Sequence, residues 1–356
     1  MKNRYHNRKT SYIRTIIAII VLMFCMSTTA QEKASSGFLE KTKRAATKTG
    51  WFIDYVLNDV DTMYVAKNQY NLIALPQYTL DGEHYRLHSM ADGKQSIDIT
   101  SDNRHKLRLN VGWRWLIVGY SITLKGKSPQ SEFNSSIFSA RFGLDLFYRK
   151  CNGGYNISGL NGFYNGNTPL QNFNKEFDGL LVKQIGVGLH YAFNKRFSYA
   201  AAYGLATRQR RSAGSLILGA GYNRQQFTLD LEGLDQMIGG QMADGFKFQE
   251  LCYNDMSIYL GYCYNWVFAK NFLASLSLAP AVGCKIARAG EGGNRNASIG
   301  FDLTSRASVV YNTGRYYAGC SFVSHTYNYN KEDFSILNSF GILKMHVGYY
   351  FWRRKK

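Results

Sequence analysis

The sequence is short of proline and of acidic residues. Its 356 residues include 4 prolines, and 24 Asp and Glu stand against 43 Lys and Arg, a formal net charge of +19. Disordered and collagen-like chains carry more proline and fewer aromatic residues than the 15% found here, so both classes are excluded. The negative mean hydropathy excludes a bundle of transmembrane helices. What remains is a β protein rich in glycine and tyrosine, or a basic protein that binds nucleic acid.

The first thirty residues have the order of a secretory signal peptide. Basic side chains precede an apolar run from Ile16 to Met26, and small residues follow at 27–30. A run of about eleven residues is shorter than the roughly 20 that a transmembrane helix needs, so we expect cleavage after Ala30. The mature chain then keeps a net charge of about +14, because the leader holds five basic residues and no acidic ones.

The cysteines do not form a recognisable pattern. Five remain after the leader, and an odd number in an exported chain cannot close completely into internal disulfides. None of them forms a CxxC pair, so we expect neither a metal site nor a cofactor, and their redox state stays open. The five are Cys151, Cys252, Cys263, Cys284 and Cys320.

Apolar and polar side chains alternate along much of the chain after residue 105. Successive side chains of a strand point to opposite faces, so each alternating segment has one apolar and one polar face. The segments extend to about 15 residues, whereas sandwich strands usually have five or six and a bilayer strand about ten. Aromatic residues collect near the segment ends, as in an interfacial girdle. The clearest segments are 137–149, 254–266, 297–311 and 340–352.

The alternation predicts an all-β fold, an antiparallel transmembrane β-barrel of about 12 strands in the outer membrane. Tight connections near 193–196, 267–270 and 312–314 are expected to be periplasmic turns, because such barrels have short turns on that side. The number of barrel strands becomes 14 if 105–124 is a hairpin and strands from 70–100 join the barrel. Long outer loops are expected near 164–178, 208–211, 233–253, 284–296 and 327–339, with separate crossings at 213–222 and 227–231.

These features divide the chain into four segments. Residues 1–30 are the signal peptide, and residues 31–60 are a short N-terminal periplasmic segment that is partly helical. Residues 61–352 are the outer-membrane β-barrel, and residues 353–356 are a basic tail.

Several short motifs resemble those of one family. They run in order from Asp61-Thr62-Met63-Tyr64-Val65 through Gly112-Trp113-Arg114-Trp115 and the segment 142–149 to Asn265-Trp266-Val267-Phe268. Together they resemble an uncharacterised Bacteroidota outer-membrane β-barrel family, known as a domain of unknown function, over roughly residues 55–352. The resemblance implies location and fold, and it implies no catalytic residues.

Polar side chains on the inner face of the barrel are the candidates for a functional site. Residues four apart on one strand lie about 13 Å from each other, so these groups would pair across neighbouring strands. A polar network that fills a narrow lumen is the interpretation we favour over a charged constriction that selects anions. The candidate lumen residues are Arg108, Arg141, Asp145, Arg149, His190, Asp302, Arg306, Lys344 and His346.

The expected partners are those of an exported membrane protein. Arg208, Arg210 and Arg211 are predicted to contact anions of lipopolysaccharide. Outer-membrane lipid and the outer-membrane insertion machinery are the other expected partners; nucleic acid is not expected in an exported chain. The oligomeric state stays open.

Function is predicted only as a class. We expect a structural barrel or a narrow pore for small solutes, with a loop-mediated receptor or a lipopolysaccharide-associated binding protein as the alternative. An enzyme is not expected, because the adjacent Ser324 and His325 would face opposite sides of a strand. A lipid-modifying enzyme that uses His190 or His346 is the least favoured alternative.

Overall fold

The computed structural model describes residues 59–353 apart from short gaps. The gaps are 90–94, 114–115, 128–129, 166, 171–172, 204–206, 243–245, 247–249, 290–294 and 331–333. The expected signal peptide, nearly all of the N-terminal segment and the last residues of the basic tail lie outside the described residues.

Nineteen strands and two short helices make up the described chain. The helices are Tyr199–Tyr203 and Leu231–Met237. In chain order the strands are β1 (Val65–Lys67), β2 (Tyr70–Ser89), β3 (Ser96–Ser101), β4 (Arg104–Trp113), β5 (Leu116–Lys125), β6 (Gln130–Phe138), β7 (Phe142–Asn152), β8 (Tyr155–Asn161), β9 (Tyr164–Asn165), β10 (Thr168–Pro169), β11 (Lys175–Phe177), β12 (Leu180–Ala192), β13 (Thr207–Gln209), β14 (Ala213–Leu229), β15 (Glu250–Ala269), β16 (Phe272–Ala289), β17 (Arg295–Asn312), β18 (Tyr316–Asn330) and β19 (Phe334–Arg353).

Twelve of these strands close into an antiparallel barrel. They are β2, β4 to β7, β12 and β14 to β19, each paired with the next. The last strand closes the barrel on the first, with pairs that run from Phe334↔Ser89 to Arg353↔Tyr70. On its other edge β2 pairs with β4. The prediction of a 12-stranded antiparallel barrel is therefore confirmed.

The outer face of the barrel is apolar and the inner face is polar. On β15 six apolar or aromatic side chains from Met256 to Trp266 are exposed, while Asp255, Cys263 and Asn265 are buried. Six alternate residues span about 34 Å along a strand, or about 25 Å of height at a tilt near 40°. This is the height of the apolar band of a bilayer barrel. No helix in the described part of the chain is long and apolar enough to span a bilayer.

Most connections at one end of the barrel, here called the turn end, are tight. Asn271 joins β15 to β16 with a positive φ of 71°, and Gly314 with a φ of 90° joins β17 to β18. A third turn at 139–141 divides the predicted strand 137–149 into β6 and β7, where Phe142 N donates to Ser139 Oγ (2.9 Å). Alternation alone did not show this turn, because the apolar residues Phe138, Ala140 and Phe142 keep the same period of two through it.

The opposite end carries an ordered lobe, here called the outer lobe. Beyond the barrel rim β3 pairs with β2, β8 pairs with β3, and β11 pairs with β8. The prediction of long loops at 284–296 and 327–339 is wrong, because β16 to β19 extend through most of these ranges. Tyr329, Phe334 and Ile336 are buried there, so the extended strand ends belong to the core of the lobe.

The chain after β12 turns back into the barrel instead of crossing the membrane. The helix Tyr199–Tyr203 has the sequence Tyr-Ala-Ala-Ala-Tyr, which favours a helix, and its first four residues are buried. The tight connection expected near 193–196 leads into this helix and not directly into another barrel strand, and the prediction of a separate crossing at 227–231 is wrong. Phe227 and Leu229 continue the buried face of β14, which is one long strand.

Candidate functional site: a polar chamber in the barrel

A polar chamber occupies the middle of the barrel. Its volume is about 290 Å³, and Tyr199 of the helix Tyr199–Tyr203 lies in its wall. A second cavity of about 140 Å³, lined by Tyr203 and Tyr317, shares several lining residues with the chamber. The amide of Asn223 and the Nε2 atom of His190 are buried in the chamber wall, and neither has a hydrogen-bond partner among the described residues.

An apolar core closes the chamber at the outer lobe. It contains 23 buried residues from the lobe strands, the outer parts of the barrel strands and the connection between β14 and β15. In that connection the helix Leu231–Met237 is capped by Asp230, whose Oδ1 accepts from Gly233 N (3.2 Å). Leu234 and Phe246 are completely buried in the core. A path for solutes through this end would have to cross the apolar core.

A buried ion network lies on the chamber side of this core, with Glu83 at its centre. Arg104 Nη2 donates to Glu83 Oε1 (2.7 Å), and Arg149 also pairs with Glu83. The second carboxylate oxygen accepts from the hydroxyls of Tyr85 (2.9 Å) and Tyr155 (3.0 Å). Several bonds to one buried carboxylate offset the cost of removing it from water.

The network continues along β2, β4 and β6. Lys106 Nζ bridges Asp81 Oδ1 (2.7 Å) and Glu132 Oε2 (3.1 Å). Arg104 Nη2 contacts Asp81 Oδ2 (3.1 Å), and Arg108 pairs with Glu132. Each cation contacts a carboxylate on a strand other than its own, so the network, which includes Arg149 of β7, connects four barrel strands.

A second ion cluster lies on the opposite wall, where Lys285 is completely buried. Its Nζ donates to Asp302 Oδ1 on the neighbouring strand (2.7 Å) and lies 3.7 Å from Asp255 Oδ2. The same ammonium lies 5.6 Å from the centre of the Tyr327 ring. One cation therefore compensates two buried carboxylates, and its loss would leave both uncompensated.

Arg306 and Lys344 are the chamber cations that form no ion pair with any residue in the described part of the chain. Both line the chamber and the smaller cavity. The Arg306 guanidinium of β17 lies 5.8 Å from the centre of the ring of Tyr199, in the helix Tyr199–Tyr203. Asp145, which also lines both cavities, accepts from Ser136 Oγ (2.7 Å). The region that the chamber shares with the smaller cavity therefore carries net positive charge.

The structure brings eight of the nine predicted lumen residues to these two cavities. The ninth, Arg141, lies at the turn end, where it donates to the carbonyl oxygens of Ala192 and Phe193 (both 3.0 Å). The eight are Arg108, Asp145, Arg149, His190, Asp302, Arg306, Lys344 and His346.

The expected outer loop at 208–211 is wrong, because this segment lies at the turn end. β13 pairs with β1, and Arg208 Nη1 donates to Thr313 O in the turn after β17 (3.3 Å). Arg210 Nη1 donates to Thr62 O (3.3 Å), and Arg211 lies over the ring of Tyr64 (5.7 Å). The three arginines therefore lie at the end of the barrel opposite to the outer lobe.

Sequence reasoning missed most of the network partners. On β4 a signal was available, because Arg104 and Lys106 have the same period-two position as the predicted Arg108. On β2 the pattern was weaker, because Gly82 interrupts the apolar face between Asp81 and Glu83. The missed residues are Asp81, Glu83, Arg104, Lys106, Glu132, Asp255 and Lys285.

The chamber shows no arrangement that identifies a reaction. Among the described residues no group of His, Cys, Asp and Glu could hold a metal ion. His325 lines the chamber, and its Nδ1 lies 2.9 Å from Thr304 Oγ1. The cysteines in the described part of the chain are free thiols: Cys151, Cys252, Cys263, Cys284 and Cys320.

Solved structures with detectable similarity include outer-membrane proteins of low identity. The outer membrane protease OmpT from Escherichia coli is 11% identical, with a TM-score of 0.37, over 80% of this chain and 98% of that chain. The outer membrane protein OprG from Pseudomonas aeruginosa is 11% identical, with a TM-score of 0.26, over 81% and 98%. Outer-membrane expressed OmpT of Vibrio cholerae is 8% identical, with a TM-score of 0.23, over 80% and 100%.

The sequence comparisons give a family and no assigned activity. No curated protein matches the sequence. A family model matches residues 59–351, which is most of the chain. The chain therefore belongs to the family described as the domain of unknown function DUF4421.

Proposed function

We propose that this protein is an outer-membrane barrel that conducts no solutes and that anchors an ordered lobe at the cell surface. The observation that carries the proposal is the presence of buried chain at both ends of the lumen. The apolar core closes one end, and the buried helix Tyr199–Tyr203 lies at the other. Of the two expected forms of the leading function, we propose the structural barrel and not the narrow pore.

The energy of the apolar core supports a permanent closure. Burial of a large apolar side chain contributes roughly 1.5–3 kcal/mol, so exposure of the 23 core residues would cost on the order of tens of kcal/mol. Thermal fluctuation does not supply energy on this scale. The two ion clusters below the core would also have to separate, which leaves buried charges without partners.

The orientation follows from the two different ends of the barrel. Outer-membrane barrels have short turns on the periplasmic side and longer connections outside. The turn end is then periplasmic, and the outer lobe is extracellular. Export through a cleaved signal peptide, help from the insertion machinery and a Bacteroidota origin are parts of the same proposal.

Epitope tags would test location and orientation together. A tag between Asn165 and Thr168, in the hairpin of β9 and β10, should bind antibody on intact cells. A tag beside Gly314, in the turn after β17, should bind only after the outer membrane is permeabilised. Antibody binding to the Gly314 tag on intact cells, or to neither tag in the outer-membrane fraction, would contradict the proposal.

A further inference from the structure

Five basic side chains line a groove at the turn end, and no carboxylate of the described residues lines it. The groove has a volume of about 620 Å³ and is bordered by β1, β13, the turn after β17 and the end of β19. It is separate from the chamber, with which it shares no lining residue. The basic residues are Lys67, Arg208, Arg210, Arg315 and Arg353.

Neutral oxygen atoms hold the arginines of the groove in place. Arg353 Nη2 donates to Gln69 Oε1 (3.0 Å), while Arg208 and Arg210 donate to backbone carbonyls (both 3.3 Å). The described residues provide no ion-pair partner for any of the five basic groups. The ion pairs of Lys195 and Arg196 at this end lie outside the groove. The groove thus carries positive charge that no residue lining it compensates.

One side of the groove is connected to the aromatic girdle of the barrel. Arg315 donates from Nε (3.0 Å) and Nη2 (2.6 Å) to the hydroxyl of Tyr349. The Tyr349 ring lies 5.4 Å from that of Tyr316 and 6.5 Å from that of Phe351, and all three are exposed. Exposed aromatic rings at the end of a membrane barrel lie at headgroup depth. Arg315 therefore lies close to where a lipid phosphate would be.

We propose that this groove binds the phosphate of an anionic glycerophospholipid from the leaflet at the turn end. Guanidinium groups bind phosphate oxygens with paired donors, and the girdle beside Arg315 provides an apolar surface for the acyl chains. A soluble phosphate or an acidic polypeptide would use the charge but not the apolar surface. The proposal rests on the membrane orientation given under the proposed function.

Native mass spectrometry of the intact barrel in detergent micelles would test this binding. Phosphatidylglycerol and phosphatidylcholine are offered in equal amounts, and the wild type should retain the former. The triple variant Lys67→Gln, Arg315→Gln, Arg353→Gln should lose affinity for phosphatidylglycerol by about a hundredfold, since each basic residue near anionic headgroups contributes about fivefold. Added salt should weaken binding to the wild type, which gives a readout independent of the variant.

The control variant also loses three positive charges, but at exposed residues away from the groove. It carries Lys127→Gln, Lys175→Gln and Arg224→Gln, and it should retain lipid as the wild type does. Equal retention of both lipids, no effect of salt, or full retention by the groove variant would overturn the proposal.

Two competitors distinguish the source of the anion. If glycerol phosphate or polyglutamate displaces the lipid at equal concentration, the ligand is a soluble phosphate or an acidic polypeptide, and the lipid proposal is wrong. Weak displacement by both supports it. Tag accessibility and conductance are measured separately, so a negative result for lipid binding would not contradict the proposal of a closed barrel with a surface lobe.

Discussion

Replacement of Lys285 by Met is expected to lower the free energy of unfolding by about 3–5 kcal/mol, because removal of one partner leaves buried charge uncompensated. The Lys285 ammonium is completely buried between Asp302 (2.7 Å) and Asp255 (3.7 Å). Met has nearly the same length, so the change removes the charge and keeps most of the packing. Urea unfolding of the barrel in phospholipid vesicles measures the difference.

The matched control is Lys127→Met. Lys127 pairs with Glu176 at 3.0 Å, but both side chains are about half exposed, so the loss should be about 0–1 kcal/mol. Adding Asp255→Asn and Asp302→Asn to Lys285→Met should recover most of the lost stability. A Lys285 variant that is as stable as the control would show that the ion cluster does not stabilise the barrel.

The second large loss of stability is expected from a charged residue on the outward face of the barrel. Leu260→Arg should cost about 2–4 kcal/mol in a bilayer, the range for an arginine near the midplane of a barrel. Leu260 is 56% exposed and lies near the middle of the outward residues of β15. The same vesicle unfolding assay measures the cost, which should fall for outward positions nearer to either end of β15.

Tyr164→Arg is the control for this effect. Tyr164 is also about half exposed, but it belongs to the β9–β10 hairpin near the outer lobe. Arginine should change stability there by less than about 1 kcal/mol, as most surface substitutions do. Equal costs at Leu260 and Tyr164 would mean that the face of β15 is not in lipid.

Alternation in the sequence predicted the barrel because period two is a local property of a strand. Segments such as 254–266 and 297–311 needed no knowledge of their neighbours to show an apolar and a polar face. The motif resemblance is confirmed at the level of an uncharacterised family, since the family model covers residues 59–351. The chamber residues could be named for the same reason, because a polar residue on a strand with an apolar face points inward.

The proposed closure of the lumen could not be predicted from the sequence, because it depends on contacts between distant segments. The inward face of β14 is polar at Asn223 and Gln225 and becomes apolar at Phe227 and Leu229, where it joins the lobe core. Without the lobe, this change resembles the start of another strand. The position of the helix Tyr199–Tyr203 could not be predicted either, because a five-residue segment indicates helix propensity but not where the helix packs.

Single-channel recording in planar bilayers tests the closed lumen most directly. The refolded wild-type barrel should produce no discrete current steps, while a general porin refolded and inserted in the same way should conduct. Insertion would be verified by protease protection of the β-barrel in the same membranes. Reproducible current steps from the inserted wild type would contradict a lumen closed by the apolar core and the helix Tyr199–Tyr203.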